Sequence, residues 1–393
     1  MSPLLIARSP DLARLANEGF DIEIRANHLL VHDVPYVNEQ RQVALGMLVS
    51  DLSLAGDITT RPQNHVAMFA GGHPCDINGA RISSIVHVSN RQDFGSGVVI
   101  DHSFSNKPPE GYADYYEKIT TYVAIISGPA ACISPEATAR TFKVRSGELE
   151  EGPFEYLDTA SSRAGIAEVS GKLEQERVVI IGLGGTGAYT LDLVAKTPVH
   201  RIDLYDGDRL LQHNAFRGPG APSAAELQLK PFKVDYWKSV YMKMKRGIVA
   251  HPHHVDGSNV DELAGTSVVF LCMDAAPAKR EIIEGLERLG LAFIDVGMGL
   301  ELVDGSILGQ VRVTTSTVKK RDHVWNGRIA MATDDEDDLY SRNIQVADLN
   351  ALNAALAVGR WKRMSGFYLD LENEHHTVYV VDGNQLLNEE TAK

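Results

Sequence analysis

The spacing of apolar residues changes character along the chain. Up to about Ser146 they come in short alternating runs broken by turn-forming residues. Beyond it, compact apolar runs alternate with stretches of helical period. In the first part, Asp21–Arg25 and Leu29–Val34 predict two strands joined through Ala26-Asn27-His28, a hairpin pattern. His65–Phe69, Ile82–Val88 and Tyr122–Ile126 predict three more strands, punctuated by GGHP and DINGA. A compact α+β unit over residues 1–150 follows. The acidic, Gly- and Pro-containing segment from Glu148 to Phe154 predicts a solvated linker, with residues 151–176 leading into a second domain over 177–393.

The second domain opens with a βαβ pattern: strand Val178–Ile181, a glycine turn, helix Ala188–Lys196 and strand Arg201–Tyr205. Val268–Cys272 and Phe293–Val296 predict two further strands, with a helical stretch Ala278–Leu289 between them. Strands separated by helical crossovers predict an α/β fold built on a mostly parallel, Rossmann-like sheet.

The turn itself, Gly182-Leu183-Gly184-Gly185-Thr186-Gly187, satisfies G-x-G-x-x-G between a strand and a helix. Glycines allow a tight turn and close backbone approach, and the free N–H groups of the helix start attract phosphate oxygens. Asp206 lies about twenty residues further on, at the end of the next strand, where a carboxylate can accept from ribose hydroxyls. Nucleotide binding follows, but this fingerprint serves ATP and dinucleotide redox cofactors alike. Downstream come Asp208, then Asn214 and Arg217 in HNAFR, Lys233 in PFKV and Asp274 in FLCMD: acids, an amide and cations of the kind that handle phosphates.

Charge and cysteine content narrow the function classes. With 52 acidic against 38 basic side chains the formal net charge is −14, which disfavours non-specific binding to nucleic acid or an anionic membrane. The 3 cysteines, Cys75, Cys132 and Cys272, are far apart with no Cys-x-x-Cys pair, against a disulfide framework or a four-thiolate zinc site. No apolar stretch is long enough to span a bilayer and the N-terminus lacks a signal-peptide core, so a cytoplasmic, reducing location is expected.

The ordered set GLGGTG, Asp206-x-Asp208, HNAFR, PFKV, FLCMD and the late helix NIQVADLNALNAALAVGRWK resembles the ThiF/MoeB adenylyltransferases, whose catalytic fold ubiquitin-activating enzymes also use. The resemblance covers residues 177 to about 368. It implies ATP- and Mg2+-dependent activation of the C-terminal carboxylate of a small ubiquitin-like or sulfur-carrier protein ending in Gly-Gly, giving an acyl-adenylate and pyrophosphate for onward conjugation or sulfur transfer. By position, Arg217 and Lys233 become catalytic cations, Asp274 a catalytic carboxylate and magnesium ligand, Asn214 a nucleotide contact, Asp206 a ribose contact and Asp208 a loop-ordering residue. The resemblance further implies a homodimer, with Arg163 as a candidate to reach the partner subunit's site. Arg177 reads equally as a phosphate contact and as an exposed arginine at a strand entry.

The sequence also departs from the pattern. Lys319–Tyr340, where many relatives carry a thioester-forming cysteine, has none, and their paired zinc-binding cysteines are missing, so no zinc is expected. Cys272 reads as core; Cys75, between His73 and Asp76, is the thiol whose surroundings would favour exposure and activation, and Cys132 has a weaker claim to forming a thioester. His65, His73 and His102 read as ordinary histidines, and Asp334–Asp338 as a solvated acidic loop. Residues 1–150 carry no recognisable chemistry and are expected to recruit the carrier, to contact a conjugating enzyme, or to be a degenerate conjugating-enzyme-like domain. A non-catalytic scaffold and, less favoured, an NAD-dependent oxidoreductase are the alternatives.

Overall fold

The computed structural model describes residues 2–56, 58–143, 152–156, 158, 160, 161, 164, 166–274, 277–331 and 344–391. Two compact units emerge, Met1–Ser146 with Leu157–Ala167, and Gly147–Tyr156 with Glu168–Lys393.

The first unit is an antiparallel sheet with a helix on it. Strands β1 (Ile22–Arg25), β2 (His28–Val37), β3 (Val43–Asp51), β6 (Val66–Ala70), β7 (Val86–Asp93) and β8 (Val99–Ser105) lie in the order β1-β2-β3-β6-β8-β7, and the short β4 (Leu54–Ala55) and β5 (Ile58–Thr59) pair beside them. The predicted hairpin forms: Ala26 and Asn27 adopt φ of 48° and 59°, the left-handed pair a two-residue turn requires. Ile82–Val88 divides differently from the prediction, since a 3-10 turn at Ser83–Ile85 precedes β7.

Tyr122–Ile126 is not a strand. It lies inside the helix Tyr115–Ile133, whose N-cap Asp114 accepts from the Glu117 N–H at 2.7 Å. A short aromatic and β-branched run reads as a strand by itself. The helical register wins because Tyr115, Ile119, Tyr122, Val123 and Ile126 then share one buried face against Leu29, Val31, Phe69 and Phe104. Cys75 is buried here as well, bridging to Val37 and Arg81.

In the second unit, β9 (Arg177–Ile181), β10 (Arg201–Tyr205), β11 (Ile248–His251), β12 (Val268–Leu271), β13 (Phe293–Val303), β14 (Ser306–Ser316), β15 (His376–Val380) and β16 (Gln385–Glu389) form one sheet in the order β11-β10-β9-β12-β13-β14-β15-β16. The strands from β11 to β13 run parallel, and β14, β15 and β16 continue antiparallel. β13 extends well beyond the predicted Val296 and turns into β14 through Asp304 and Gly305, both at positive φ.

Both sheet faces are covered, which is why Val178–Ile181 of β9 and Val268–Leu271 of β12 are continuous apolar runs rather than alternating ones. Val178 and Ile180 pack under the helices Gly185–Val194, Lys233–Tyr241 and Ala347–Met364, while Val179 and Ile181 meet Ile282, Ile283 and Leu286 of the helix Pro277–Arg288. Residues 152–156, read from sequence as linker, hydrogen-bond to a neighbouring turn: the Pro153 carbonyl accepts from the Arg246 N–H at 3.0 Å, and Glu155 N–H donates to the Met244 carbonyl at 2.9 Å. The buried Lys245 ammonium sits 4.5 Å above the Phe154 ring.

The cap on the helix Tyr115–Ile133 gives a direct stability test. Asp114→Ala should cost about 1 kcal/mol, read as a lower urea midpoint at unchanged slope; an unchanged midpoint would show that burial alone fixes the helix start.

Candidate functional site

The parallel strands end their register in one row, Tyr205 beside Ile181 beside Leu271 beside Asp295. Immediately beyond it come Asp206, Gly182 and Cys272, so three candidate loops leave the sheet at its carboxyl edge, where open α/β sheets bind ligands.

The glycine turn is packed too closely for side chains. Gly182 has φ +88°, and a Cβ there would lie 2.7 Å from the Cys272 carbonyl oxygen. At Gly185 a Cβ would meet the Asn350 amide nitrogen at 2.1 Å, and at Gly187 the Gly182 carbonyl oxygen at 1.8 Å. Gly184 differs: it is the N-cap of the helix Gly185–Val194, offers no side-chain cap, and a Cβ on it would meet nothing within 4 Å. The turn is therefore sealed against the protein and open at the helix start, where uncapped N–H groups favour an anion.

Asp206 holds this turn. Its Oδ2 accepts from the Leu183 N–H at 2.7 Å and its Oδ1 from the Asp208 N–H at 2.8 Å, and the residue is buried. Asp206 thus orders this turn through its carboxylate, while Asp208 ties the following loop to the Lys233 helix, its carbonyl accepting from the Lys233 N–H at 2.9 Å. Asp208 is the exposed carboxylate of the two, and its Oδ2 accepts from Lys233 Nζ at 2.7 Å, with Asp206 Oδ2 3.5 Å from the same ammonium. Burial raises the Asp208 carboxyl, but hydrogen bonding and charge from Lys233 more than offset it and hold the group below its ordinary value. Lys233 is buried at the first position of its helix.

Asn214 and Arg217 lie on and just after the short helix Gln212–Ala215. Asn214 Oδ1 accepts from the Leu211 N–H at 2.8 Å, but its buried Nδ2 has no partner among the described residues, and neither has the buried Nε of Arg217. Unpaired buried donors are costly, and two of them beside one turn point to a ligand that pairs them. Burial first, then the charges of Arg217 and Lys233, lower His213, so both cations act on one electropositive neighbourhood.

Asp274 is exposed on the segment after β12, and the peptide preceding it touches Gly182. Lys279, almost wholly buried, steadies that segment: its Nζ donates to the Met273 carbonyl at 3.3 Å and pairs with the buried Asp295 at 2.5 Å, which also pairs with Arg312 at 2.8 Å. An exposed carboxylate here fits a hard magnesium ion that completes its shell from phosphate and water oxygens. Among the described residues no group of three or more His, Cys, Asp or Glu side chains is placed to hold a metal by itself.

Asn350 is a site residue that the sequence reading missed. It accepts from Thr186 Oγ1 at 2.8 Å and donates to the Arg217 carbonyl at 3.2 Å, bridging the glycine turn and the cation segment from the late helix. Its only sequence signal was an amide in the first turn of that helix, three residues before a second one, Asn353.

The structure places the remaining candidates otherwise. Arg177 stands at the opposite end of β9, where it is neither exposed nor near the turn: its Nε donates to the buried Asp203 at 2.8 Å and its Nη1 to the Glu262 and Ala264 carbonyls. Cys75, whose surroundings suggested an exposed and activated thiol, is instead buried, with its thiol raised by burial and donating to the His73 carbonyl at 3.3 Å. The Cys272 thiol packs with the core, and burial pushes it up to about 12. Cys132 is exposed on the helix Tyr115–Ile133. His73 and His102 meet edge to face with ring centroids 5.0 Å apart. Arg163 and Asp334–Asp338 lie outside the described residues.

Comparison with known proteins bears on both units. Residues 161–322 match the model of the ThiF family, and residues 10–159 match DUF6791, a domain of unknown function. Ubiquitin-like modifier-activating enzyme 5 of Rattus norvegicus is 23% identical over 194 residues, 46% of this chain and 47% of that protein. The same enzyme of Oryza sativa subsp. japonica is 23% identical over 192 residues, 45% of each chain. The chain thus spans about half the length of these curated relatives. The crystal structure of Escherichia coli MccB with ATP aligns over 58% of this chain and 68% of that one, at 16% identity and a TM-score of 0.43. Among the described residues no helix is long and apolar enough to cross a membrane.

The sealed turn makes a sharp prediction. Gly187→Ala should destabilise the protein by about 2–3 kcal/mol and lower its melting temperature, because the added methyl cannot share space with the Gly182 carbonyl; an unchanged melting temperature would mean the turn relaxes freely.

Proposed function

We propose, from the premise that residues 161–322 are a ThiF-family domain, that the carboxyl edge of the second sheet binds ATP and transfers its adenylyl group to the C-terminal carboxylate of a small ubiquitin-like or sulfur-carrier protein. The observation that carries the reading is a pair of buried donors with no partner among the described residues, Asn214 Nδ2 and Arg217 Nε, on the segment whose Arg217 carbonyl Asn350 ties to the glycine turn. A nucleotide supplies what those groups lack.

A carboxylate oxygen of the carrier attacks the α-phosphorus, the bond to the β-phosphate bridge breaks, and pyrophosphate leaves. Two anions must approach one another, so the barrier is largely electrostatic, and fixed donors lower it most where charge develops. Arg217 presents a planar fork to phosphate oxygens, and Lys233 a point charge for the β- and γ-phosphates. Asp206 keeps the turn in shape, leaving the exposed Asp208 to meet the ribose hydroxyls. Asp274 would hold magnesium, which when bound neutralises phosphate oxygens during transfer.

The thiols of buried Cys75 and half-buried Cys272, both raised by burial, favour direct handover of the adenylate to an external nucleophile or a separate cysteine-bearing carrier over a thioester on either of them. A homodimer, a cytoplasmic setting and recruitment of the carrier or a conjugating enzyme by the first unit complete the reading.

Carrier-dependent ATP–pyrophosphate exchange, run with small proteins ending in Gly-Gly, tests it. Arg217→Ala, Lys233→Ala and Asp274→Ala should each lower the exchange rate by about 10²–10³. Exchange unaffected by all three would overturn the site assignment, whereas ATP binding without any exchange would favour the scaffold alternative.

A further inference from the structure

Asn350 joins two parts of the site that the sequence separates widely. Its side chain is 1% exposed, and both of its polar atoms are engaged: Oδ1 with Thr186 in the glycine turn, Nδ2 with the carbonyl of Arg217. Gly185 approaches it so closely that any side chain there would displace it. On the same helix, Asn353 donates to the Gly297 carbonyl at 3.0 Å, so the helix is pinned to β13 one turn further along.

We infer that Asn350 is a positioning residue for nucleotide binding, acting through Arg217. This inference rests on the reading that the edge binds ATP. A hydrogen bond to a backbone carbonyl adds no charge at the phosphates. What it fixes is the distance between the helix start, where uncapped N–H groups face outward, and the peptide from which the Arg217 guanidinium projects. With Asn350 removed, that segment keeps its own local hydrogen bond from the Arg217 N–H to the Asn214 carbonyl at 3.2 Å but loses the tie from the late helix. The Arg217 fork then meets the phosphates from a wider range of positions, and the ordering cost falls on the binding step.

The amide's geometry also makes the role specific. Leucine matches asparagine in bulk but bonds neither partner. Aspartate keeps the acceptor for Thr186 and loses the donor to Arg217. Thr186→Val opens the same bridge from the other end without touching the helix.

Calorimetric titration of the full chain with Mg·ATP is the test, on the wild type, Asn350→Leu, Arg217→Ala, the double variant and Thr186→Val, with thermal melting run in parallel. Asn350→Leu should weaken binding by about tenfold. In the Arg217→Ala background the same substitution should cost less than about twofold, because a residue acting through another has nothing left to position. Thr186→Val should weaken binding less than Asn350→Leu does. Losses that multiply independently in the double variant, or an Asn350→Leu protein that binds as the wild type does, would overturn the inference. Should Asn350→Leu fail to fold, Thr186→Val paired with Arg217→Ala carries the same coupling test. A wild type that binds no Mg·ATP refutes the nucleotide reading itself, and this inference with it.

Discussion

Backbone lies against backbone at the end of β9, and the geometry of the second unit's edge follows from that contact. Gly182 touches the peptide after β12, Gly187 touches Gly182, and Gly185 touches the side chain that reaches in from the late helix. A methyl group at any of the three would push apart elements whose distances to one another set the geometry of this edge. The remaining glycine, Gly184, faces open space. One short turn thereby does two things: it locks three loops together and leaves a helix start uncovered for an anion.

Around this knot the charges are placed before any ligand arrives. Asp206 gives both oxygens to backbone N–H groups, so its charge is absorbed by the turn. Lys233 is held between Asp206 and the exposed Asp208, and the Asp208 carboxyl titrates low because that ammonium stands against it. The pair holds a cation in a water-poor position without leaving it bare, and under the proposed function a polyphosphate would compete with Asp208 for it. On the other flank, Lys279 and Arg312 share the buried Asp295, and the spare hydrogen bond of Lys279 fixes the Met273 carbonyl next to Asp274.

Much of this was legible in the sequence because it is local. The strand, glycine turn and helix around residues 177–196, and the placement of Asp206 at the end of the following strand, depend on neighbours a few residues away. Lys233, by contrast, was placed by the resemblance, and its pairing with Asp206 and Asp208 appeared only in the structure. Tyr122–Ile126 was misread because a five-residue window cannot register that Asp114 caps a helix or that Tyr115 and Ile119 continue the same face. The Cys75 thiol was read from its polar neighbours in sequence, whereas its burial comes from bridges to Val37 and Arg81. Asn350 was invisible for the same reason: its two partners, Thr186 and the Arg217 carbonyl, are more than a hundred residues away in the chain.

Adenylation at this edge, as proposed, leaves a product that can be weighed. Intact-mass analysis of a carrier protein after brief incubation with the full chain and Mg·ATP should find a carrier heavier by one adenylyl group, with one pyrophosphate released for each carrier modified. Release of ADP and phosphate instead, or a carrier heavier by a single phosphate, would contradict it, since either would place the attack at the γ-phosphorus.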